Sequence, residues 1–231
     1  MAQNSGSGGS WWKTILIGIG LYVAGLVALI ITGNPVLFPT VVLIGNFLVP
    51  IAYVVFFYQR QQIHEVGFGT TAMSFVYGGV LGVIAASFLE PLFVQGMNPI
   101  TAFIVGLIEE FVKILGVLVL VRDRPHNSVR NGVVLGAAAG MGFAALESSG
   151  YAFAAFMQSQ GSLPAAVMVT LLRGVFSPLG HGTWTAILAA VLFRESERQN
   201  YHINGHVLGA YVIVSVLHGV WNLLPRLAGT I

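Results

Sequence analysis

Ionisable side chains are scarce in this sequence, and several fall where apolar ones would be expected. Ile108-Glu109-Glu110-Phe111-Val112-Lys113 puts two carboxylates and an amine on little more than one helical turn. Glu147 precedes Tyr151 by four residues, His181 lies in the next apolar segment, and His218 precedes Asn222 by four in the last. A carboxylate beside a neutral imidazole can deprotonate water, while a His and an amide such as Asn222 stabilise the oxyanion of an amide under attack. Two imidazoles and one carboxylate are also the ligand set of catalytic zinc, with a fourth position left for water. On that route Glu147, His181 and His218 are the expected zinc ligands and a further Glu is the general base. Glu109, Glu110 and Glu147 against Lys113 alone leave a deficit of two positive charges, which a divalent cation or protonation would settle. Both routes hydrolyse a peptide bond.

The segments holding these groups cannot face water. Of 231 residues 56% are apolar and 8% charged, against about 25% charged in a soluble domain. The composition is that of an all-α, multi-pass membrane protein of the cell membrane, a bundle of about seven transmembrane helices at roughly 20 residues each. The expected spans are Thr14 to Thr32, Val36 to Tyr58, Thr71 to Val94, Pro99 to Val121, Asn131 to Met157, Pro164 to Phe193 and His206 to Leu227. Residues 1–13, opening on MAQNSGSGGS, read as a flexible leader. Residues 14–231 read as one membrane domain with its catalytic core in 99–227. The first span is longer than a signal-peptide core and lacks an Ala-x-Ala cleavage site, so it reads as retained. Loops after spans 2, 4 and 6 carry Arg60, Arg122, Arg124, Arg130, Arg194 and Arg198; with Lys13 they make seven cations against Arg226 on the other side. The positive-inside rule then puts the N-terminus in the cytoplasm and the C-terminus outside. A net charge of +2 gives no reason to expect nucleic acid, and the absence of Cys excludes disulfides and thiolate chemistry.

Intramembrane charges are costly and mark functional sites, and their heights can be counted. At about 1.5 Å per residue from the expected cytoplasmic ends, Glu110, Glu147, His181 and His218 come out about 17, 24, 18 and 18 Å deep, one layer near the midplane. Glu109 and Lys113 share a helix face, as do Glu147 and Tyr151, and His218 and Asn222, whereas Glu110 points about 100° away from Glu109. Arg173 and Glu90 lie nearer the outer side at similar heights and are expected to pair with each other. Gly132, Gly136 and Gly140 form a bare stripe that reads as a packing seam. Pro39, Pro50, Pro91 and Pro178 fall inside spans and predict kinks.

Other intramembrane protease chemistries fail on absent residues. The sole Asp is Asp123, in a loop, and neither His-Glu-x-x-His nor Gly-x-Ser-x-Gly occurs. The four motifs together resemble those of the PrsW family of intramembrane proteases. Glu109-Glu110-x-x-Lys113 resembles its Glu-Glu-x-x-Lys, and Leu146-Glu147-Ser-Ser-Gly-Tyr151 its Phe-Glu-x-x-x-Tyr with Leu for Phe. Pro178-Leu-Gly-His181-Gly-Thr-Trp184-Thr185 and Leu217-His218-Gly-Val-Trp221-Asn222 resemble its two histidine motifs. The resemblance implies a protease that cleaves membrane-anchored proteins such as anti-sigma factors and is related to the type II CAAX prenyl endopeptidases. It implies Glu109 as general base, with His218 and Asn222 stabilising the oxyanion, and by analogy with those relatives a metal-free centre. Spacing alone does not choose between Glu109 and Glu110. A proton-coupled transporter would also bury Glu, His and Lys, but its usual inverted repeats are not found. A non-catalytic scaffold like a γ-secretase subunit has no need of the intact Glu-Glu-x-x-Lys.

Overall fold

The computed structural model describes residues 11–60, 66–122, 128–196 and 200–227. Asp123, Arg124 and Arg198, used in the sequence arguments above, lie outside the described residues, as do residues 1–10 of the expected leader. Seven helices follow one another: α1 (Trp11–Thr32), α2 (Leu37–Arg60), α3 (Phe68–Phe93), α4 (Pro99–Val121), α5 (Val129–Gln158), α6 (Leu163–Glu195) and α7 (Gly205–Leu227), with no strand among the described residues. Six are long and apolar enough to cross a bilayer; the seventh, α4, is 23 residues long and carries Glu109, Glu110 and Lys113. This is a multi-pass membrane protein.

Local chemistry fixes where the core helices begin. The Asn98 side chain accepts from the amides of Ile100 and Thr101 while Thr101 Oγ1 accepts from the Asn98 amide, and Pro99 occupies the first position of α4. Ser128 and Ser162 cap α5 and α6 by accepting from the amides of Asn131 and Ala165. Of the four prolines, Pro39 stands in the first turn of α2, where no intrahelical hydrogen bond is lost, so it is not a kink site. Pro50, Pro91 and Pro178 are interior. A wide π turn over Tyr77–Leu81 interrupts α3, a feature without a sequence signal beyond Gly78 and Gly79. A Cβ on either glycine would strike the α5 backbone, at Ala139 or Gly142.

Helix α5 is the central rod: 78% of its most apolar 18-residue stretch is buried in protein, against 11% of the corresponding stretch of α1. Its glycine stripe is the seam with α6. A Cβ added at Gly132, Gly136 or Gly140 would fall on the carbonyl of Ala189, Thr185 or His181 respectively, so the two helices run antiparallel with four-residue steps in register. The seam therefore sets the height of two side chains, His181 and Thr185. Gly106 of α4 does the same for α7, where a Cβ would meet the Ser215 carbonyl and lie 3.2 Å from the His218 Cβ. Gly140→Val should cost about 1–3 kcal/mol of stability through forced separation of the two backbones, read in a detergent unfolding titration. Gly150→Ala, where nothing lies within 4 Å, is the control and should stay near wild type; equal behaviour of the two variants would contradict the seam.

Candidate active site

Glu110 is the hub of the site and is fully buried. Its Oε1 accepts from Lys113 Nζ at 2.7 Å and from His218 Nδ1 at 3.0 Å, and its Oε2 accepts from Thr185 Oγ1 at 2.9 Å. With both oxygens engaged, this carboxylate holds others in place. Lys113 Nζ also donates to His181 Nδ1 at 2.8 Å, lies 3.6 Å from Glu109 Oε2, and sits 4.4 Å from the centre of the Phe143 ring. Trp184 covers His218 with ring centres 4.8 Å apart, and the two imidazoles meet edge to face at 4.7 Å.

These partners assign the tautomers. An ammonium has only donors, so His181 accepts at Nδ1 and carries its proton on Nε2. A carboxylate has only acceptors, so His218 carries its proton on Nδ1 and keeps a lone pair on Nε2. That lone pair faces Glu109 Oε2 at 3.4 Å, and His181 Nε2 lies 3.2 Å from Glu147 Oε2, off the line of a hydrogen bond. Glu109 Oε2, His181 Nε2 and His218 Nε2 are all buried without a hydrogen-bond partner.

The counted layer is thus a real cluster: α4, α5, α6 and α7 bring together Glu109, Glu110, Lys113, Glu147, His181 and His218. Tyr151 stands at its edge, half exposed, with the Arg173 guanidinium 3.9 Å from its ring centre. Asn222, one turn beyond His218, is only partly buried and makes no hydrogen bond among the described residues. Two expectations change. Arg173 pairs with Glu147, Nη2 to Oε2 at 2.7 Å, rather than with Glu90. The glycine seam explains this, because with Gly140 opposite His181, residues 147 and 173 come level across the two helices. Arg173 also reduces the charge deficit from two to one.

The second change concerns which carboxylate could hold a metal. Among the described residues, the group whose donor atoms converge, all within 4.8 Å of one another, is Glu109, His181 and His218. Glu147 is engaged by Arg173, whereas Glu109 Oε2 makes no hydrogen bond and lies 3.6 Å from Lys113 Nζ, so the converging group contains Glu109 in the position expected of Glu147. Bonds of about 2.0–2.2 Å fit within this spacing, and Glu110 on His218 Nδ1 is the carboxylate that commonly supports a ligating imidazole. Glu109 Oε2 and His218 Nε2 fit a cation as they stand, and His181 joins them by giving up its Nε2 proton, with the positive charge of Lys113 beside the site. Three further contributors were not assigned roles from sequence: Thr185, Phe143 and Trp184. Thr185 has a signal, standing one turn after His181 on the same face; the two aromatic contacts have none.

The model of the PrsW family of intramembrane metalloproteases matches residues 67–230. No curated protein and no solved structure matches the chain.

Proposed function

The chain belongs to the PrsW family of intramembrane metalloproteases, and from that premise we propose that its buried Glu/His centre cleaves membrane-anchored protein substrates, with anti-sigma factors the class the motif resemblance implies. Membership makes the protein an intramembrane endopeptidase, working in lipid on a membrane-embedded protein. The observation that carries the site assignment is the pair of acceptors facing each other, Glu109 Oε2 and His218 Nε2, 3.4 Å apart. Two lone pairs at that distance repel unless a hydrogen donor or a cation lies between them.

A water held there gives one hydrogen to each acceptor. As its oxygen attacks the scissile carbonyl, Glu109 Oε2 takes the proton and later returns it to the leaving amine. Glu110 keeps His218 in the tautomer that accepts, and Lys113 and Thr185 keep Glu110 in place. The donor left for the oxyanion is His181 Nε2–H, with Glu147 Oε2 3.2 Å away and Arg173 behind it. This differs from the roles implied by resemblance, where His218 and Asn222 stabilise the oxyanion, because the lone pair on His218 Nε2 makes it an acceptor. In a metal-bound centre Glu109, His181 and His218 would instead serve as ligands, His181 without the proton assigned to Nε2 above, and we propose zinc on that nitrogen and oxygen donor set. When bound, such an ion lowers the pKa of its water and polarises the carbonyl. The loop cations support a cytoplasmic N-terminus.

The test is cleavage in liposomes, with purified chain and a panel of single-span reporters. Fragments joined within or beside the apolar span are expected by mass spectrometry. Reporters that all stay intact, anti-sigma factors included, would refute the substrate class.

A further inference from the structure

A second set of polar groups lies apart from the hydrolytic cluster, between α1, α2, α5 and α6. Tyr22 Oη, Asn46 Oδ1, Ser148 Oγ, Thr170 Oγ1, Ser177 Oγ and Arg173 Nε are all buried without a hydrogen-bond partner. The residues Asn46, Ser148 and Ser177 are fully buried, and Thr170 is 2% exposed. Leaving such atoms unpaired costs about 1–3 kcal/mol each, and the hydrocarbon around the bundle has nothing to offer them.

Other hydroxyls in this chain avoid that cost locally. Ser87, Ser149 and Ser196 each donate to the carbonyl four residues back, at 2.8, 2.8 and 2.6 Å. Ser148, Thr170 and Ser177 do not. Asn46 spends its amide nitrogen on the Val42 carbonyl at 3.0 Å and turns its oxygen towards α6, where a Cβ on Gly174 would stand 3.3 Å from it. A Cβ on Gly45 would meet the Thr170 methyl and the edge of the Tyr22 ring, so these two residues are neighbours. The continuation of the glycine seam brings Ser148 level with Arg173. Thr170, Ser177 and His181 share one face of α6, at steps of seven and four residues. From Thr170 to Ser177 is about 10 Å and from there to His181 about 6 Å more.

We propose that Tyr22, Asn46, Ser148, Thr170 and Ser177 line a file of water molecules that runs along α6 from its Leu163 end to His181 and feeds the hydrolytic centre. A buried water needs two to four polar partners, and the set supplies an acceptor in Asn46, a donor in Arg173, and hydroxyls that serve as either. The purpose of the file rests on the hydrolase assignment; its existence does not.

The chain contains no Cys, so single cysteines report without background. A thiol reacts as thiolate, and with a free pKa of about 8.5 it ionises only in water. In proteoliposomes Ser177→Cys and Thr170→Cys should therefore react with a small water-soluble thiosulfonate at least about tenfold faster than Leu171→Cys and Leu179→Cys, whose side chains face lipid at 50% exposure each. In the unmodified chain, X-ray radiolysis should label Tyr22 faster than Phe88, although Phe88 is 74% exposed on the outside of the bundle, because hydroxyl radicals form from water. Loss of either contrast overturns the file. Proteolysis that persists without the contrasts removes the file and spares the protease; contrasts in a protein that cleaves nothing do the reverse.

Discussion

Glu109→Gln should abolish proteolysis and leave the fold intact. The substitution keeps the shape of the side chain and removes the acceptor that faces His218 Nε2. Glu109 has no hydrogen bond to lose at Oε2, and its cation Lys113, 3.6 Å away, keeps the closer Glu110 at 2.7 Å, so the variant should lose less stability than Glu110→Gln. A general base is worth about 10²–10⁴-fold in rate, which at 1.36 kcal/mol per tenfold is about 3–5 kcal/mol of barrier. Glu110→Gln should behave differently. It takes the charge from the carboxylate that Lys113, His218 and Thr185 all engage, and leaves the Lys113 ammonium buried with its closest counter-charge gone. Breaking a buried pair from one side costs about 3–5 kcal/mol, so this variant should lose stability and activity together. Cleavage rates and unfolding midpoints measured on both variants separate the roles. Wild-type turnover in Glu109→Gln would move the base elsewhere; wild-type turnover in Glu109→Gln, Glu110→Gln and His218→Ala alike would remove catalysis from this cluster.

A strong membrane-permeant chelator should silence the enzyme, and added Zn²⁺ should restore it. Ligation by a carboxylate and two imidazoles requires deprotonated donors and ties activity to occupancy. Elemental analysis should find one zinc per chain in the wild type and almost none in Glu109→Ala or His218→Ala. Glu147→Gln should keep its metal, since Glu147 is engaged by Arg173 at 2.7 Å rather than by the converging set; loss of zinc from this variant would return Glu147 to the ligands. Glu110→Gln, which loosens the support of His218, should bind about 10–100-fold more weakly. Full activity in a protein shown to be metal-free would leave Glu109 as base with no ion to assist it.

The heights of the site residues were legible because an α-helix in a membrane has a fixed rise. Counting from the ends of apolar runs was enough to put Glu110, Glu147, His181 and His218 in one layer, and the observed contacts agree. The same counting went wrong for Arg173, matched to Glu90 because both stood near the outer side. Height alone does not say which neighbour a side chain turns towards, and the 2.7 Å contact to Glu147 depends on how α5 and α6 are rotated. The expected ligand Glu147 and the carboxylate that converges with the two imidazoles, Glu109, differ for the same reason.

The sequence by itself determined that the chain is a membrane bundle, how many helices it has, where they run, and which polar groups share the midplane. Each of these follows from the solvation of side chains and from hydrogen bonds made within a single helix. The tertiary structure decided which lone pair meets which donor. That depends on the rotation and sliding of whole helices against one another, set here where Gly132, Gly136 and Gly140 meet the carbonyls of Ala189, Thr185 and His181. The close approach those glycines allow fixes the register that turns His181 to Lys113 and Arg173 to Glu147, a relation between segments that no single segment encodes.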